Sequence, residues 1–147
     1  MKNYVKVVVL GPPGSGKTTF IKTLCPNAVA IERTLRDTGR KTTVALDYGK
    51  VEVDGKEVVF LGAPGHERFQ FMLDILLKGA DALVVLTGKE GNEKYRKLAR
   101  ELGKPFIVTS INPVNNAKGT LISAANRSEL LNLLKSLLSA METNRTG

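Results

Sequence analysis

Residues 5–19, which read VKVVVLGPPGSGKTT, decide the fold of this chain. The β-branched run at the start is typical of a strand buried on both faces of a parallel sheet. The turn that follows fits the pattern G-x-x-x-x-G-K-[ST], with Gly11, Gly16, Lys17 and Thr18 at its fixed positions. In such a turn backbone N–H groups point at phosphate oxygens, and the next helix adds its unpaired N–H groups and its dipole. The stretch therefore predicts a strand, a phosphate-binding turn and a helix.

The side chains of this turn suit a nucleotide with its metal ion. Lys17 would reach the β- and γ-phosphates, and the Thr18 hydroxyl would join the ligands of a Mg²⁺ ion. A chance match in an ordinary strand–turn–helix is the alternative, but the flanking strand and helix are the context that supports the motif. The nucleotide-binding residues predicted here are Pro13, Gly14, Ser15, Gly16, Lys17, Thr18 and Thr19.

Composition and charge limit the classes of protein to which this chain can belong. With 147 residues, 42% of them hydrophobic and 24% charged, we expect one domain over residues 1–147 with a substantial core. The chain enters a strand directly and has no apolar run near the length of a membrane span, so we expect a cytoplasmic protein. The net charge of +8 does not predict nucleic-acid binding, because basic and acidic residues alternate over 89–101 as on a solvated helix. The single Cys25 is expected to be a core residue rather than a nucleophile.

Hydrophobic periods predict alternating strands and helices after the first helix. Residues 44–53 and 58–61 are predicted strands joined at Asp54-Gly55, a strong hairpin signal. Residues 27–42 show no clear period and are predicted to be a mobile loop, and 143–147 a frayed tail. The remaining predicted elements are strands at 82–86, 106–111 and 120–123, and helices at 17–24, 71–78, 93–102 and 128–141. Together they predict an α/β three-layer sandwich with a mostly parallel sheet of about six strands.

Two later motifs carry a resemblance to a known family. TTVALDYG at 42–49 and GAPGHERF at 62–69 resemble the switch regions of small Ras-like GTPases, closest to the prokaryotic ones related to the gliding-polarity GTPases. The resemblance covers nearly the whole chain, and it implies a P-loop NTPase fold that binds GTP or GDP with Mg²⁺. It also implies that Thr43 binds Mg²⁺ and the γ-phosphate. The Gly65 N–H would contact the same phosphate, so that hydrolysis releases both loops.

Two departures from the family's pattern concern hydrolysis. Gly62 stands where most GTPases have the aspartate that holds a Mg²⁺-bound water, although the gliding-polarity relatives also lack it. His66 stands where Ras-like proteins have the glutamine that orients the attacking water. A lone histidine is often structural, but this position favours a catalytic role.

Arg40 lies at the offset from Thr43 at which heterotrimeric G-protein α-subunits place an arginine finger. The equally supported interpretation is that Arg40 is a solvent-exposed arginine of a loop and has no role in hydrolysis.

A third departure concerns recognition of the base. The motif N-K-x-D appears as Asn112-Pro113-Val114-Asn115, and the S-A-K loop as Ser123-Ala124-Ala125. Too few residues separate the two motifs for the helix that the family usually inserts there, so we expect a trimmed G domain with an open base pocket. The resemblance assigns base contacts to Asn112, Asn115, Ser123, Ala124 and Ala125.

Three functions stay open at this point. The first is a nucleotide switch with slow GTPase activity, in which Lys17, His66 and Arg40 are the catalytic residues and Thr18 and Thr43 the metal ligands. Its regulators or effectors would bind the switch loops and the apolar cluster of Phe69, Phe71 and Met72. The second is a binding module that holds nucleotide without hydrolysing it, which Gly62 and the altered base motif favour. The third is a small P-loop kinase, against which the lack of space for a lid argues.

Overall fold

The computed structural model describes residues 3–12, 14–37, 40–63, 70–87, 92–109 and 127–146. These residues form six strands and four helices, which alternate after an antiparallel hairpin. In chain order the elements are β1 Tyr4–Leu10, α1 Lys17–Leu24, β2 Val29–Asp37, β3 Arg40–Val53, β4 Lys56–Gly62, α2 Gln70–Leu77, β5 Ala82–Leu86, α3 Asn92–Leu102, β6 Phe106–Thr109 and α4 Arg127–Thr146.

The six strands form one sheet in the order β2-β3-β4-β1-β5-β6. β1 pairs in parallel with β4 and β5, and β5 pairs in parallel with β6. β3 is antiparallel to both β2 and β4. β1 thus lies inside the sheet, which explains why its residues 7–10 are apolar and buried on both faces.

Alternating side chains of β1 face two separate cores. Val7 and Val9 pack in a cluster with residues of α1 and α4, and Val8 and Leu10 pack in a second cluster with residues of α2 and α3. Period-two alternation along a strand places successive side chains on opposite faces. The sheet therefore lies between two helical layers, and the predicted α/β three-layer sandwich is confirmed.

The predicted apolar face of the last helix is confirmed as core. Its side chains are buried or half-buried against the first cluster, and they are Leu130, Leu133, Leu134, Leu137, Leu138 and Met141. The predicted frayed tail is wrong for residues 143–146, because α4 continues to Thr146. No glycine or proline stands between Met141 and Thr146 to end the helix.

The predicted mobile loop at 27–42 is also wrong over most of its length. Val29–Asp37 is a strand, paired in an antiparallel ladder with Arg40–Val53, from Val29 opposite Tyr48 to Asp37 opposite Arg40. β2 is at the edge of the sheet, where strands carry polar and charged residues, so its sequence lacks the apolar run of a central strand. The sheet has the predicted number of strands, but this one was not among those predicted. The predicted strand at 120–123 lies outside the described residues.

The predicted hairpin turn is confirmed, with Asp54 at φ 51° and Gly55 at φ 79°. Both central residues of this two-residue turn are left-handed, as the twist of a β-hairpin favours. Within the described part of the chain, none of the helices has the length and apolar character needed to cross a lipid bilayer.

Candidate nucleotide-binding site

The glycine-rich turn lies between the end of β1 and the start of α1. Gly14 and Gly16 adopt φ values of 79° and 96°, the left-handed region that favours glycine. Gly11 is required for space, because a Cβ there would lie 2.5 Å from Ser15 Oγ and 2.7 Å from the Leu86 carbonyl oxygen. The turn closes through Ser15 N–H, which donates to the Pro12 carbonyl at 3.1 Å. The predicted strand–turn–helix is therefore formed with the backbone that its glycines predict.

The start of α1 leaves backbone donors for a ligand. Phe20 N–H donates to the Gly16 carbonyl at 2.8 Å and begins the helical ladder, so the N–H groups before it have no partner within the helix. Gly16 is the N-cap residue and provides no side-chain cap. Ser15 is fully buried, and its hydroxyl makes no hydrogen bond within the part of the chain that the structure describes. These orphan donors suit an anion such as phosphate.

The Lys17 side chain folds over the turn. Its ammonium donates to the Gly11 carbonyl at 2.7 Å and to the Pro12 carbonyl at 3.0 Å. Burial lowers the pKa of Lys17 below its ordinary value, and the nearby Asp47 carboxylate partly opposes this effect. The positive charge is thus held at the turn, where the sequence motif predicts it.

The Thr18 hydroxyl and Asp47 meet beside the turn. Thr18 Oγ1 donates to Asp47 Oδ2 at 2.5 Å, although the two residues belong to α1 and β3. Asp47 lies directly opposite Gly62 in the antiparallel pairing of β3 with β4. In the sequence, Asp47 stands out only as part of the switch-like motif TTVALDYG that contains Thr43. The two-residue turn at Asp54-Gly55 was the signal that could have placed it opposite Gly62, because that turn fixes the register.

Other predicted site residues are not brought to the turn. Thr43 lies in the β2–β3 ladder opposite Thr34, and Arg40 lies at the start of β3 rather than in a loop. Thr43 is four residues from Asp47 along the strand, about 13 Å at the usual rise per residue. On β3 it is Asp47 that contacts Thr18, and the side chain of Thr43 is not described. Thr19 is exposed in the first turn of α1, where its carbonyl accepts a hydrogen bond from Thr23 Oγ1 at 2.7 Å.

Several predictions fall on residues outside the described ranges, and their roles stay predictions. Of the candidate partner-binding cluster, Phe69 lies outside these ranges, and the side chains of Phe71 and Met72 are not described. The predicted site residues outside the described ranges are Pro13, Gly65, His66, Asn112, Asn115, Ser123, Ala124 and Ala125.

Fold and turn together define the class of the protein. A mostly parallel α/β sheet with a glycine-rich turn and a lysine at the end of an inner strand is a P-loop NTPase domain. The chain belongs to the family described as 50S ribosome-binding GTPase, whose model matches residues 6–113. This match favours a GTPase over the P-loop kinase that the motif alone left open.

The chain is also similar to curated proteins. An uncharacterized protein of Methanocaldococcus jannaschii is 39% identical over 94 residues, which are 63% of this chain and 57% of that protein. GTPase Era of Treponema pallidum is 32% identical over 87 residues, which are 54% of this chain and 26% of that protein. The chain thus matches about half of the first relative and about a quarter of the second.

Two solved structures share the fold. The cytosolic domain of L. pneumophila FeoB superposes with a TM-score of 0.68 at 20% identity, over 92% of this chain and 68% of that one. A bacterial selenocysteine-specific elongation factor gives a TM-score of 0.65 at 17% identity, over 95% of this chain and 29% of that one. At 17–20% identity, this likeness shows a shared fold alone.

Proposed function

We propose that this chain is a nucleotide switch that binds GTP with Mg²⁺ and hydrolyses it slowly to GDP. The proposal rests on the Lys17 ammonium, which is held at the turn by a backbone carbonyl. The helix that follows the turn begins without a side-chain cap, so its first N–H groups are available beside this charge. Positive charge and orphan N–H groups at one place are what nucleotide phosphates require. A cytoplasmic location, predicted from the sequence, belongs to the same proposal.

The chain's own groups would bind and orient the phosphates. On binding, Lys17 would exchange the carbonyl oxygens of Gly11 and Pro12 for phosphate oxygens, which are charged and therefore stronger acceptors. The Thr18 hydroxyl fits Mg²⁺, since it is a hard oxygen ligand next to the turn. When bound, the ion would neutralise charge on the phosphates.

Hydrolysis would depend on residues that position the attacking water and neutralise developing charge. We assign the first role to His66 and the second to Arg40, with Gly65 N–H on the γ-phosphate. Thr43, whose backbone is paired opposite Thr34, would bind Mg²⁺ and the γ-phosphate, and we expect part of β3 to shift against β2 when it does. Such a change would also move the surface of 40–47 and 62–69, where regulators or effectors would bind.

Single-turnover phosphate release from bound GTP tests this proposal. His66→Ala and Arg40→Ala should each slow release at least tenfold while GTP affinity stays nearly unchanged, because the two roles act on the transition state. Arg100→Ala is the matched control, since Arg100 is an exposed arginine of α3 that pairs with Glu93 at 3.6 Å. If the parent chain binds GTP but releases no phosphate, the chain is a binding module and not a GTPase. Unchanged rates in both variants would remove the assigned roles.

A further inference from the structure

The Mg²⁺ site proposed above lacks one of its usual groups on β4. P-loop NTPases hold the ion with the Ser or Thr of the turn and an aspartate at the end of a strand. Here the residue at the end of β4 is Gly62, which has no side chain. Thr18 and the proposed ligand Thr43 would contribute only neutral hydroxyl oxygens, although Mg²⁺ is usually bound through one or two carboxylates together with phosphates and water.

A carboxylate reaches the same place from the neighbouring strand. Asp47 and Gly62 are directly opposite each other on antiparallel strands, and side chains of opposed residues lie on the same face of a sheet. A Cβ built on Gly62 would lie 3.2 Å from Asp47 Cβ and 3.4 Å from Asp47 Oδ2. The Asp47 side chain therefore occupies the space into which a side chain at position 62 would point.

The Asp47 carboxylate also makes the contacts that such a group needs. Its Oδ2 accepts the hydrogen bond from Thr18 Oγ1 at 2.5 Å. A hydroxyl that donates its proton to a carboxylate keeps its lone pairs for a cation. The Asp47 carboxylate is also close enough to Lys17, the residue proposed to bind the phosphates, to favour its charged form. The described residues contain no group of three or more His, Cys, Asp or Glu side chains that could hold a metal ion. A site of one carboxylate and one hydroxyl, completed by phosphate and water, agrees with this.

We infer that Asp47 supplies the carboxylate of the Mg²⁺ site in place of the missing side chain at position 62, and holds the ion or its bound water together with Thr18. This inference rests on the proposed nucleotide function. The Gly62 position and the Asp47 position are thus alternatives, because a side chain at position 62 would crowd that of Asp47. Ile21 Cδ1, 3.1 Å from the built Cβ, closes that space from the side of α1.

The test measures the ion directly. Mn²⁺ is titrated into the GDP complex and followed by electron paramagnetic resonance, and GDP affinity is measured with Mg²⁺ and with a chelator. Asp47→Asn keeps the shape of the side chain and removes its charge, so it should weaken Mn²⁺ binding about 10- to 100-fold, as expected for loss of a group that holds a metal or its ligand. GDP affinity in chelator should not fall. Asp74→Asn, on an exposed residue of α2, is the matched control and should leave both quantities unchanged.

A second variant moves the carboxylate back to β4. Asp47→Gly removes the crowding Cβ, and adding Gly62→Asp then places a carboxylate on the opposite strand. The double variant should bind Mn²⁺ at least tenfold more tightly than Asp47→Gly alone. Circular dichroism verifies that both are folded.

The outcomes separate the two proposals. A parent chain that binds neither GDP nor GTP overturns the proposed function. A parent chain that binds GDP, with Asp47→Asn retaining full Mn²⁺ affinity, overturns only the role of Asp47. A GDP complex that binds no Mn²⁺ in the parent also overturns that role. Loss of Mn²⁺ binding in Asp47→Asn with recovery in the double variant supports it.

Discussion

Replacing Lys17 by alanine should weaken nucleotide binding while leaving the fold intact. The ammonium now donates to the Gly11 and Pro12 carbonyls at 2.7 Å and 3.0 Å. Hydrogen bonds to charged partners contribute about 1.5–3 kcal/mol each. Loss of one such bond to phosphate corresponds to a fall in affinity of about 10- to 150-fold. The free energy of unfolding should change by only about 1 kcal/mol or less, because the variant loses these bonds but also relieves the burial of a charge.

Isothermal calorimetry with GDP measures the affinity, and urea denaturation the stability. Lys22→Ala is the matched control, because Lys22 is an exposed lysine in the last turn of the same helix. The control removes the same charge at a distance from the turn and should bind GDP like the parent. If Lys17→Ala binds GDP as tightly as the parent, the assignment of the turn to phosphate binding is wrong.

Three further predictions concern the base pocket and the core. Asn115→Asp should tighten GTP binding about 30- to 1000-fold in competition titrations, because a carboxylate accepts from both donors of guanine. The binding of ATP or XTP should tighten much less. Equal effects on all three nucleotides would show that Asn115 does not contact the base. Gly49→Ala should lower the free energy of unfolding in urea by about 1–3 kcal/mol, since its Cβ would lie 2.7 Å from Cys25 Cβ; an unchanged midpoint would refute this. Burial raises the pKa of the Cys25 thiol to about 11, so the folded chain keeps the thiol protonated where the unfolded chain has lost the proton. Stability should therefore fall as pH rises from about 9 towards 11, and Cys25→Ala should flatten that slope in urea titrations.

The phosphate-binding turn was predictable because its function is encoded in backbone conformation. Gly14 and Gly16 have the left-handed φ values that only glycine adopts easily, and Gly11 has no room for a Cβ. Local sequence determines such a turn, whichever elements surround it. The helix that follows was predicted with its observed bounds for the same reason.

The edge strand β2 was not predicted because its stability comes from pairing with β3. Glu32, Arg33 and Arg36 interrupt any apolar run, and the ladder hydrogen bonds depend on a partner that local sequence does not name. The Gly39 that follows it and the alternation of Val29 with Ile31 were the weak signals available.

The surroundings of Asp47 could be predicted from the sequence only in part. The turn at Asp54-Gly55 was predicted, and a two-residue turn fixes every cross-strand pair of its hairpin. The pairing of the acid with the glycine was therefore contained in the sequence. Its contact with Thr18 was not, because that contact depends on how α1 packs against the sheet.

The most direct test of the account is an equilibrium titration of the nucleotide-free chain with GTP and with ATP, both in Mg²⁺. If the proposed function is correct, GTP saturates one site and ATP binds more weakly, because the phosphates are bound at the turn and the base pocket favours guanine. A chain that binds no GTP, or that binds ATP at least as tightly, would contradict it.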